Sequence, residues 1–188
     1  HPVERVRRVV SPLAYAHQHQ EGVEDDGFRQ LIAHINFPEE SQRIEELSGP
    51  AAAFDRSALL FTELNHGFIE PRSPKLLERI EVAFDRGSRF GDNQRVSSSY
   101  TSGRRVFLEY VNWALISVYA CERFTPSDCA IISARVDATM TNDRGFTHFG
   151  SFQKWLLKQR RANKTVRLQD LTDQMVAWFE QQAEKTPQ

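Results

Sequence analysis

Six basic side chains, Lys154, Lys158, Arg160, Arg161, Lys164 and Arg167, fall between positions 154 and 167 with no acidic residue among them. Ammonium and guanidinium groups at this density neutralise phosphates and release counterions, which is the sequence-independent part of nucleic-acid affinity. The same segment carries Phe152, Trp155 and Leu156 at helical spacing, so the cations sit on a helix with one apolar face. A second basic run, Arg89, Arg95, Arg104 and Arg105, surrounds Ser97, Ser98, Ser99 and Tyr100. Hydroxyls and guanidinium groups together suit phosphate, and Arg104-Arg105 open a long helical pattern whose N-terminus also favours an anion.

The 24 cationic residues divide into 19 Arg and five Lys. Arg offers planar bidentate contacts to phosphate that Lys cannot copy, and this agrees with the same chemistry. Acidic residues gather elsewhere: Glu21, Glu24, Asp25, Asp26, Glu39, Glu40, Glu45 and Glu46 lie in residues 21–46 against only Arg29 and Arg43. The net charge of −1 therefore conceals two polarised regions, one suited to a polyanion and the acidic 21–46 region to a protein partner.

Motifs for catalysis are sparse. Arg29-x4-His34 resembles the Arg-x4–6-His motif of HEPN ribonucleases, which implies an all-helical RNA-cleaving domain using Arg29 and His34. Gln30 follows the arginine where that family usually has Asn or a similar polar residue. His17 and His19 precede acids, but no His-Glu-x-x-His or Glu-x-x-His pair stands on a helical pattern, so no metal site is expected. No serine occupies a Gly-x-Ser-x-Gly turn. Phe152-x-x-Trp155-Leu156, the basic link and Leu168-x-Asp170-Leu171-Thr172 together resemble the helical core-binding domain of tyrosine recombinases. That resemblance covers the terminal hairpin only, without the family's catalytic Arg, His and Tyr set. The expected role is non-catalytic, with no cofactor.

Length and composition set the frame. At 188 residues and 40% hydrophobic content the chain can build one core, and 13 Phe with three Trp exclude an intrinsically disordered chain. No run of about 18 uninterrupted apolar residues occurs, which excludes a membrane-spanning helix. Cys121 and Cys129 are too few for a disulfide framework, and their spacing is not that of a metal site, so reduced thiols in a cytoplasmic protein are expected. The chain begins His1-Pro2, the pattern of a processed or excised segment.

Apolar spacing predicts an all-α fold, a single helical domain over 1–188 of about seven or eight helices. Val3, Val6, Val9, Val10 and Leu13 mark an opening helix, Phe28 to Ile35 a second and Pro38 to Leu47 a third. Ala51 to Asn65 follows, with Gly67 as its left-handed stop. Ser73-Pro74 starts a helix ending at Gly87, and residues 87–103 read as a long loop. Arg104 to Arg123 is the central helix. Thr125-Pro126-Ser127-Asp128 caps the next, which ends near Met140. Ser151 caps a helix joined through 161–165 to one capped by Asp170 or Thr172. This 151–185 hairpin is expected as an appended unit presenting its cations, together with Arg95, Arg104 and Arg105, to nucleic acid.

Overall fold

The computed structural model describes residues 5–10, 19–25, 28–35, 46–71, 73–85, 89–92 and 100–185. The chain divides into two compact units, residues 1–68 and 69–188.

In the first unit the helices expected before residue 36 are absent among the described residues. Strands β1 (Arg5–Val10), β2 (His19–Asp25) and β3 (Phe28–Ile35) form a three-stranded sheet in the order β1-β3-β2. β1 runs parallel to β3, with Arg5 opposite Gln30 and Val10 opposite Ile35. β2 runs antiparallel to β3, with Asp25 opposite Phe28 and His19 opposite His34. The physical reason lies in the same residues: Val6, Val9 and Val10 are β-branched and favour the extended backbone, and a three-residue spacing in so short a segment does not select a helix. The helix expected over Pro38 to Leu47 falls mostly outside the described residues.

Helices α1 (Gly49–Arg56) and α2 (Ala58–Ile69) replace the single helix expected from Ala51. The interruption is Ser57, whose hydroxyl and amide both donate to the Phe54 carbonyl, at 2.9 Å each. Gly67 lies inside α2 and not at its stop.

The second unit is all-α among its described residues, as expected. It comprises α3 (Pro74–Ala83), α4 (Gly103–Arg123), α5 (Pro126–Ala138), α6 (Phe149–Ala162) and α7 (Leu168–Lys185), with one π turn, Thr139–Asp143, continuing α5. α3 ends at Phe84, ahead of the glycine expected to stop it, and Asp85 and Phe90 both take left-handed backbone with φ of 47° and 68°. α6 and α7 begin a little before Ser151 and Asp170, so neither of those residues is a cap.

α4 is the central helix, packed against α3, α5 and α6. Tyr110 stands at the middle of the core, fully buried, with Phe146, Phe149, Phe152 and Phe179 between 5.1 and 5.9 Å from its ring. Its hydroxyl donates to the Phe90 carbonyl at 2.8 Å and accepts from the His148 amide at 3.1 Å. Burial raises the pKa of that phenol, so it stays neutral. Phe152 and Phe179, from the two helices of the terminal hairpin, are both fully buried with rings 4.8 Å apart. The hairpin is accordingly part of the core of the second unit.

Candidate anion-binding groove

Three interactions fix α6 against the ends of α4 and α5. Gln153 is buried, and its side-chain nitrogen donates to Ser117 Oγ on α4 at 2.9 Å and to the Ser133 carbonyl on α5 at 3.0 Å. Two turns later Arg160 donates from Nε and Nη2 to Glu122 Oε1 at 2.9 and 2.6 Å. Its third contact is with the Val166 carbonyl, in the link to α7. Together these bonds place the last turns of α6 beside the C-terminal end of α4.

A groove of about 500 Å³ lies along this junction, lined by Val118, Cys121, Glu122, Arg123, Leu157, Arg160, Arg161 and Lys164. A second cavity of about 340 Å³ shares Cys121, Leu157 and Arg161 with it and extends between Phe124, Pro126, Cys129, Ala130 and Ser133. Four cations border the larger groove against the single carboxylate of Glu122.

Cys121 and Cys129 are joined in a disulfide, Cα atoms 4.6 Å apart, across the corner where α4 passes into α5. The sequence reading of reduced thiols is thereby corrected. The corner has its own local support, because Thr125 Oγ1 accepts from the Asp128 amide at 3.2 Å and donates to Asp128 Oδ2 at 2.7 Å. This capping box, expected from Thr125-Pro126-Ser127-Asp128, turns the chain sharply and brings the two cysteines together.

The remaining basic residues are distributed unequally. Lys154, Lys158, Arg161 and Lys164 are exposed and have no ion-pair partner among the described residues. Lys154, Lys158 and Arg161 follow one another at i+4 and i+3 and therefore share a face of α6. Arg123 reaches over the Tyr119 ring, 5.9 Å from its centroid. Arg167 is exposed but forked on Asp170 at 2.9 Å through two bonds, which raise the arginine and lower the acid. Arg104 donates to Glu70, which holds its guanidinium above the ordinary value.

The two basic segments do not converge. Arg104 and Arg105 start α4, whereas the groove adjoins Glu122 at its other end, and 18 residues of helix separate these by roughly 27 Å. Arg95 lies outside the described residues. Arg29 and His34 stand on β3, where five extended residues place their Cα atoms roughly 16 Å apart. The helix expected beneath the HEPN-like motif is therefore not there. Arg123, Glu122 and the disulfide were missed by the sequence reading. The signal for them was a helix break, Thr125-Pro126, midway between the two cysteines.

A second polar cluster is spoken for internally. Arg144 ion-pairs with Glu109 at 3.1 Å, contacts the Tyr100 hydroxyl and lies over the Trp113 ring at 4.8 Å, while Trp113 Nε1 donates to Glu109 Oε2 at 3.1 Å. Burial, then the Glu109 charge, push the Tyr100 hydroxyl up to about 12. This cluster ties the π turn to α4.

No family model matches the chain, and neither a curated protein nor a solved structure similar to it was found. Among the described residues no helix is long and apolar enough to cross a membrane.

Proposed function

We propose that the helical unit is a non-catalytic module that contacts nucleic acid through Lys154, Lys158, Arg161 and Lys164, with Arg123 on the far wall of the groove. The observation that carries this reading is the absence, among the described residues, of ion-pair partners around three exposed cations of α6 and Lys164 in the link that follows it, in a unit where Arg79, Arg104, Arg144, Arg160 and Arg167 all meet carboxylates. Uncompensated charge on one face of α6 and in the link beyond it attracts phosphates without base recognition, so the module reads backbone and not sequence. Arg160 and Arg167, counted among the contacts from sequence, are each paired with a carboxylate, so the proposal rests on the other four. Arg104 and Arg105 belong to the opposite end of α4 and form no part of this surface.

An acidic protein partner is the rival occupant, and the acidic 21–46 region would then be free for a further subunit. Fluorescence anisotropy of a labelled generic oligonucleotide, titrated with the chain at low and physiological salt, separates the two. A phosphate-driven complex weakens steeply as salt rises. Failure to bind at low salt would remove nucleic acid and leave the protein partner. The disulfide weighs against the cytoplasmic placement suggested by cysteine count, because small thiols in that compartment attack accessible disulfides.

A further inference from the structure

We propose that the Cys121–Cys129 disulfide is an exchange site for a small anionic thiol, one carrying carboxylates, which the cations of the groove seat against Cys121. Both sulfur-bearing residues line the 340 Å³ cavity, and Cys121 also lines the 500 Å³ groove. Arg161 borders both spaces, and Arg123 and Lys164 border the larger one. A thiol entering the groove therefore meets cations on its way to the sulfur, and its carboxylates find guanidinium and ammonium partners there.

The two cysteines are not equivalent as targets. Cys129 lies in the N-terminal part of α5, where the helix dipole favours negative charge, while Cys121 lies in the closing turn of α4, where it disfavours it. Exchange is faster when the better-stabilised thiolate departs. The incoming thiolate attacks Cys121 Sγ, a new S–S bond forms there, the Cys121–Cys129 bond breaks, and its electron pair leaves on Cys129 Sγ, which takes a proton from solvent. The product is a mixed disulfide at Cys121 and a thiol at Cys129, with no net oxidation. Opening the bond leaves the corner held by the Thr125–Asp128 capping box and the Gln153 bonds to Ser117 and Ser133, so the unit has no need to unfold.

The test compares reduced glutathione, an anion, with cysteamine, a cation, on the intact chain at equal thiolate concentration. Adduct formation is followed by intact mass after acid quenching and located by peptide mapping. At low salt glutathione is expected to react about tenfold faster, the difference made by one or two unit charges a few ångströms from the sulfur. About 1 M salt should collapse that ratio toward one, since screening there acts within about 3 Å. Arg161→Gln with Lys164→Gln should lower it without salt, and the adduct should map to Cys121. Equal rates at low salt, an adduct confined to Cys129, or no adduct with either thiol would overturn the proposal. The site shares Arg161 and Lys164 with the nucleic-acid surface, but this readout needs no oligonucleotide and fails or succeeds on its own.

Discussion

Arg160 and Glu122, 38 residues apart in sequence, form a forked ion pair in which the guanidinium Nε and Nη2 share one carboxylate oxygen at 2.9 and 2.6 Å. This pair seats the end of α6 on the end of α4 and removes from solution one of the six charges that made the segment conspicuous. The cations left over are the ones with somewhere else to reach.

Arg160→Gln is expected to lower stability by about 1 kcal/mol, because the pair is only partly exposed and its loss also leaves the Val166 carbonyl without a donor. Oligonucleotide affinity should change less than for Lys164→Gln. Urea unfolding and anisotropy on both variants check this, and a larger affinity loss for Arg160→Gln would show that this arginine contacts the ligand.

Gly103→Ala should be destabilising by about 1–3 kcal/mol. A Cβ there would stand 2.9 Å from Glu81 Cα and 3.0 Å from the Ile80 carbonyl oxygen, backbone atoms that cannot move aside. The Gly103 amide also donates to Glu81 Oε2 at 2.8 Å, so the close approach of α3 to the start of α4 has a bond that depends on it. Thermal unfolding of the variant measures the effect.

Replacing Gln153 by Leu removes the donor shared by Ser117 Oγ and the Ser133 carbonyl, leaving the buried Ser117 hydroxyl without that partner and α6 without its polar tie to α5. A loss of about 1–3 kcal/mol is expected, with thiol exchange and oligonucleotide binding both altered because α6 loses its register on the groove. Chemical denaturation reports the first quantity directly.

His148 gives a pH dependence with a definite sign. Burial lowers its pKa below the ordinary 6.5, so in the window beneath that value the unfolded chain binds more protons than the folded one. Stability should therefore fall as pH drops through about 6.5 and stop falling on this account below the folded pKa. His148→Gln should flatten that part of the curve, measured as the urea midpoint against pH, while keeping the backbone donation to Tyr110.

The parts of the fold legible in the sequence were those set by local chemistry. The 21-residue α4 follows from its apolar stripe, and the start of α5 from Thr125-Pro126-Ser127-Asp128, because each signal is contained within a few residues. The strands were not legible as strands, since Val6, Val9 and Val10 satisfy a helical spacing and a β preference at once, and only pairing with β3 decides between them. The groove was half legible. Its cations stood out as a run, but Arg160–Glu122 and Arg104–Glu70 join residues far apart in the chain, and charge counting cannot subtract such pairs. The disulfide depends on the angle at the α4–α5 corner, which spacing between cysteines does not encode.

The most direct test of the nucleic-acid reading is the salt slope of oligonucleotide binding for the natural chain and for a variant with Lys154, Lys158, Arg161 and Lys164 all changed to Gln. The four residues account for about −3 to −4 of the slope of log affinity against log salt on duplex, so the variant should lose that much and keep only the share of Arg123. An unchanged slope in the variant would contradict the account, since the binding charges would then lie elsewhere on the molecule.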